Sequence, residues 1–70
     1  MKQVSAMMAG IVVEILVGPG DQISDGQDVI ILESMKMQLP VASNLDGKVT
    51  EVKVSTGDFV NEGDPLVVLE

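Results

Sequence analysis

Seventy residues with eleven acids against four lysines carry a formal charge of −7, and such a chain is repelled by phosphate backbones and anionic membrane surfaces. It holds no cysteine and no histidine, which excludes disulfides, Cys-based zinc sites and the usual general base. Phe59 is the sole aromatic, so there is no stacking platform for nucleic-acid bases. The expectation is one small domain over residues 1–70, with a marginal core, no catalytic residue, no metal site, no nucleic-acid or membrane partner, and the cytoplasm as default compartment.

Taken in order, Lys2 and the stretch QVSAMMAGIVV have a faint look of a secretory signal. ILVGPGDQI reads as strand, turn and strand, with Gly20 at a backbone position that other residues resist. SDGQDV is a second turn and VIIL a short buried strand. ESMKM (33–37) follows, and MQLPVA leads out of it. KVTEVKV is a strand, VKVSTGDFV a further strand–turn–strand, NEGDPL a turn and LVVL a last buried strand. No segment shows sustained helical periodicity. Glu14, Asp21 and Glu33 interrupt the apolar runs, so none is long enough to span a membrane.

The order of these elements is a repetition. Residues 9–33 align with 46–70 at an offset of 37 with no gap. Gly10 falls on Gly47, Val12 on Val49, Glu14 on Glu51 and Val17 on Val54. Gly20-Asp21 falls on Gly57-Asp58, Gly26 on Gly63, Leu32-Glu33 on Leu69-Glu70, and, further back, Val4 on Val41. The repeats are 1–33 and 38–70, two copies that close on each other about a pseudo-two-fold axis, because two are too few for a solenoid. The expected fold is all-β: a flattened antiparallel barrel or sandwich of about eight short strands, four per repeat. The duplication also disposes of the signal, since residues 4–17 align with a strand carrying Lys48, Glu51 and Lys53.

The second repeat orients the first. KVTEVKV places Val49, Val52 and Val54 inward and Lys48, Thr50 and Lys53 outward, with a bulge near Glu51 where alternation breaks. The aligned Ile11, Val13 and Leu16 should then be exposed. They form either a tolerated surface or a stripe that faces a partner.

Ser34, Met35, Lys36 and Met37 are the only residues outside the repeats. The pseudo-axis carries this joint onto the gap between the termini, so the termini should meet away from Lys36. A tight turn at Met35-Lys36 would make a β-hairpin with Lys36 at its tip. Hairpin turns favour Asn-Gly, because both central residues need positive φ, so Met-Lys is a poor choice locally. A poor local choice held by its surroundings marks a functional position. A lysine amine is ordinarily protonated at neutral pH, so a partner enzyme must remove its proton before acylating it. Met35 and Met37 give that partner an adaptable apolar epitope; the competing reading makes them core filler.

Met35-Lys36-Met37 after Leu32-Glu33, with Gly10, Gly20-Asp21, Gly26 and the closing Gly57-Asp58, Gly63-Asp64 and Leu66 to Glu70, resembles a biotinyl/lipoyl attachment domain of the biotin carboxyl carrier type. The resemblance covers essentially the whole chain. It implies two four-stranded sheets with biotin joined through an amide to Lys36. It also implies recognition by Met35 and Met37 in the hairpin context of Glu33 and Ser34. The carrier itself catalyses nothing. It is a substrate of biotin protein ligase, and it takes a carboxyl group from a biotin carboxylase to a carboxyltransferase, as in acetyl-CoA carboxylase. Position 34 is Ser where the biotinyl pattern usually has Ala, and Met7 and Ala9 stand where prolines are common. The gapless repeat leaves no inserted thumb, and there is no Ala/Pro-rich linker; these features fit a small stand-alone attachment protein or an excised domain. The alternatives are a lipoyl carrier, a dual biotin and lipoate acceptor, and an unmodified barrel module such as that of an efflux adaptor.

Overall fold

The computed structural model describes residues 2–70; Met1, the first residue of the expected first repeat, lies outside them. The elements are β1 (Lys2–Ser5), β2 (Gly10–Ile15), β3 (Gln22–Ile23), β4 (Asp28–Ser34), β5 (Met37–Ala42), β6 (Gly47–Val52), β7 (Phe59–Val60) and β8 (Pro65–Leu69). No helix occurs among the described residues, so none is long and apolar enough to cross a membrane. The strands make two antiparallel four-stranded sheets, ordered β1-β8-β6-β3 and β5-β4-β2-β7. This is the all-β sandwich that the repeat implied.

Each sheet takes two strands from each repeat, so the halves interleave. The registers repeat with the sequence. Val4 pairs with Val67 as Val41 pairs with Ile30. Ile11 pairs with Phe59 as Lys48 pairs with Gln22. The shift between Val12 and Glu14 in β2 recurs between Val49 and Glu51 in β6, where the bulge was expected. Lys2 lies opposite Leu69 as Leu39 lies opposite Leu32. The termini therefore meet where the pseudo-axis carries the joint.

Inward positions of both repeats build one core. Val12, Ile23, Val29, Ile30 and Leu32 from the first join Val49, Leu66, Val67 and Leu69 from the second. β-branched and leucine side chains suit this thin space between pleated faces. Ile11 and Leu16 are exposed as expected, and so are Lys48, Thr50 and Lys53. The expectation for Val13 needs correction: it is half-buried, because the bulge at Val12/Glu14 turns it off the strict outward direction. Val52 and Val54 are half-buried against the core rather than fully inward, and β6 ends at Val52.

Four turns share one construction. In Gly18–Asp21, Ser55–Asp58 and Asn61–Asp64 the fourth residue's N–H donates to the first residue's carbonyl at 3.0 Å. Its side-chain Oδ2 accepts from the first residue's N–H at 2.8–2.9 Å. Ser24–Gln27 does the same with Gln27 Oε1. The third residue is a glycine at φ 96°, 97°, 92° and 90° respectively, which makes these type II turns.

A Cβ at Gly57 would meet nothing within 4 Å, so substitution there tests backbone strain alone. Gly57→Ala should lower stability by about 1–2 kcal/mol. The check is a shift of the denaturant midpoint at unchanged slope.

Candidate functional site

β4 and β5 stay paired to their ends: Leu32 opposite Leu39, Glu33 opposite Gln38, Ser34 opposite Met37. Only Met35 and Lys36 remain to reverse the chain. They adopt φ 53° and 65°, the only positive values at non-glycine positions among the described residues. Two left-handed central residues define a type I′ turn, whose twist matches that of the strands it joins. The left-handed conformation costs an L-residue about 1–2 kcal/mol. The ladder beneath imposes it, because a two-residue connection at this register has no favourable alternative.

The turn lifts its side chains away from the sandwich. Met35 is 92% exposed and Met37 59% exposed, so neither fills the core. Lys36 is exposed. The other lysines are placed differently: Lys2 Nζ donates to the Asp46 carbonyl at 2.6 Å, Lys53 pairs with Glu51 at 3.3 Å, and Lys48 lies within β6. Among the described residues Lys36, like Lys48, has no such partner; Lys36 alone stands on a turn. The surroundings accommodate an amide-linked group there, because nothing encloses the tip. Ser34 is half-buried at the hairpin base, and Glu33 is exposed on the outer face of its sheet. No cluster of metal-ligating side chains occurs among the described residues.

Gly10 sets how closely β2 approaches this hairpin. A Cβ there would lie 2.9 Å from the Glu33 carbonyl oxygen and 3.4 Å from Leu32 Cβ. The sequence marks Gly10 by its match with Gly47, but the reason for a glycine appears only in this contact. Sequence reasoning passed over Phe59 and Met7, which are 63% and 66% exposed. Their signal was available in the repeat, where the aligned residues are Gln22 and Asn44.

The sequence model of the biotin/lipoyl family, described as biotin-requiring enzyme, matches residues 2–69. A biotin/lipoyl attachment protein of Bacillus subtilis is 54% identical over 41 residues, covering 59% of this chain and 56% of that protein. The biotinylated protein TB7.3 of Mycobacterium tuberculosis (strain H37Rv) is 48% identical over 40 residues, covering 57% of this chain and 56% of that protein. The matches therefore span little more than half of these relatives. The crystal structure of Kluyveromyces lactis urea carboxylase superposes on 99% of this chain with a TM-score of 0.89 and 29% identity. A single-chain, multi-domain long-chain acyl-CoA carboxylase superposes on 94% with a TM-score of 0.85 and 35% identity. In each the match covers 6% of the larger chain.

Asparagine tolerates the left-handed region better than methionine does. Met35→Asn should therefore raise stability by about 0.5–1 kcal/mol, whereas Met35→Leu should leave it unchanged. Chemical denaturation of the two variants beside the parent reads the difference.

Proposed function

This chain belongs to the biotin/lipoyl attachment family, a carrier rather than a catalyst, and from that premise we propose that Lys36 receives the prosthetic group and that the group is biotin. The observation that carries the reading is the hairpin tip. The one lysine held in a left-handed turn is also exposed and free of partners. Methionines on both sides support biotin over lipoate, as do relatives named biotinylated proteins.

In this reading a biotin protein ligase removes a proton from Lys36 Nζ. The freed lone pair attacks the acyl carbon of an activated carboxyl group, the amide C–N bond forms, and the activating group leaves with its electron pair. The chain's own contribution is presentation. The fixed turn holds the amine clear of the sandwich, and Met35 and Met37 offer flexible apolar contacts to whatever encloses it. Ser34 and Glu33 continue the ladder that keeps the tip in place. The chemistry biotin supplies when attached is reversible carriage of a carboxyl group. The domain would then serve a biotin carboxylase and a carboxyltransferase in turn, which accords with its likeness to domains inside two carboxylases. A lipoyl carrier is the second reading, since the family accommodates both groups.

Intact-mass measurement after production with biotin ligase should show a biotinyl adduct; a lipoyl adduct or an unchanged mass would refute the assignment to biotin. Lys36→Arg keeps the charge but supplies a group that cannot be deprotonated in proteins. It should abolish incorporation and leave the melting transition in place. Residual labelling of that variant would move the site to another lysine.

A further inference from the structure

The large apolar side chains left exposed among the described residues are Met7, Ile11, Leu16, Met35, Met37 and Phe59. Two belong to the joint. The pseudo-symmetry supplies a control for the other four: their counterparts are Asn44, Lys48, Lys53 and Gln22. Both halves have the same registers, so the fold is satisfied by polar residues at these places. Folding does not require the apolar ones.

Their arrangement is specific. Ile11 on β2 lies directly opposite Phe59 on β7 and, on its other side, opposite Glu33 on β4. Glu33 lies opposite Gln38 on β5. All four are exposed, so one row of outer-face side chains runs from Phe59 to the base of the lysine hairpin. Opposed side chains in such rows stand close enough to act as one surface. Phe59 also borders an open cleft of about 460 Å³ with Asp58 and Asp64. Glu33, opposite Ile11, and Asp58 and Asp64, which line the cleft with Phe59, border the apolar pair. Lys53, which reaches the cleft, is paired with Glu51.

We propose that the Ile11–Phe59 pair and its acidic border are the docking surface for the ligase that acylates Lys36, which meets it with an apolar depression bordered by lysines or arginines. The proposal rests on the reading of Lys36 given above. Charge selects this occupant over a second copy of the chain, because like-charged acidic borders would face each other in a dimer. Reach selects a ligase over a carboxylase. An unmodified lysine is short, so the enzyme that acylates it must come up against the hairpin's own sheet, whereas enzymes that meet a long appended arm need not.

The test is steady-state biotinylation of the whole chain by a bacterial biotin protein ligase, with biotin and ATP saturating and the carrier varied. Ile11→Lys with Phe59→Gln gives this face the residues of its counterpart. The expected result is a KM for the carrier raised about tenfold with kcat unchanged, as for loss of an apolar interface anchor. Ile11→Lys alone should give an intermediate KM, and Gln22→Phe with Lys48→Ile on the opposite face should leave KM as it was. Salt should raise the KM of the parent. An unchanged KM in the double variant, with the parent modified at Lys36, overturns the docking surface and leaves the Lys36 reading intact. So does an unchanged KM accompanied by loss of a concentration-dependent dimer in sedimentation, which assigns the face to a second copy. A parent that the ligase does not modify overturns both.

Discussion

Neither half of this chain can close a core by itself. Each repeat supplies two strands to each sheet, so the inward faces meet only when both halves are in place. A domain of this size has little burial to spare, and the interleaving draws on both. Ile30 and Leu32 reach the same core as Leu66 and Leu69. The rest follows from that closure. The paired registers, the two matched bulges and the meeting of the termini beside β1 and β8 are one arrangement executed twice.

Closure also explains where the chain is strained and where it is not. Four turns need a residue at positive φ, and each has a glycine there. Each is further closed by a side-chain oxygen that accepts from the first residue of the turn. These are local solutions to local needs. The joint between the halves has the same conformational demand at two successive positions and meets it with Met35 and Lys36. The β4–β5 ladder and the burial of Val29, Ile30 and Leu32 in β4 offset that cost. The result is a tip whose backbone direction is fixed by the ladder and whose side chains face solvent. Gly10 serves the same end from the neighbouring strand, since a side chain there would press on the Glu33 carbonyl.

Symmetry separates what the fold requires from what function adds. Places filled alike in both halves, such as Val12 and Val49 or Gly20 and Gly57, are structural. Places filled differently are free of that requirement. The differences are not scattered: Ile11 and Phe59 stand together beside the lysine hairpin, while Lys48 and Gln22 stand together at the opposite end. In the proposed reading, in which Lys36 is the acceptor that other enzymes recognise, one end has to be unlike the other.

Much of this was legible in the residues alone. The offset of 37 gave the two halves, the placing of Val, Ile, Gly and Asp gave eight strands and their turns, and the unpaired Ser34–Met37 gave the hairpin and its lysine. These are legible because turn chemistry and side-chain alternation are local. Broken alternation likewise announced the bulge near Glu51. The tertiary structure alone decided the rest. It divided each repeat between two sheets, which no local pattern encodes. It turned Val13 and Val52 to half-burial, because a bulge re-aims its neighbours by an amount that depends on the opposing strand. It showed why Gly10 must lack a side chain, since the carbonyl it would strike belongs to a strand more than twenty residues away in sequence. And it set Phe59 beside Ile11, an adjacency that exists only once β7 of one half pairs with β2 of the other.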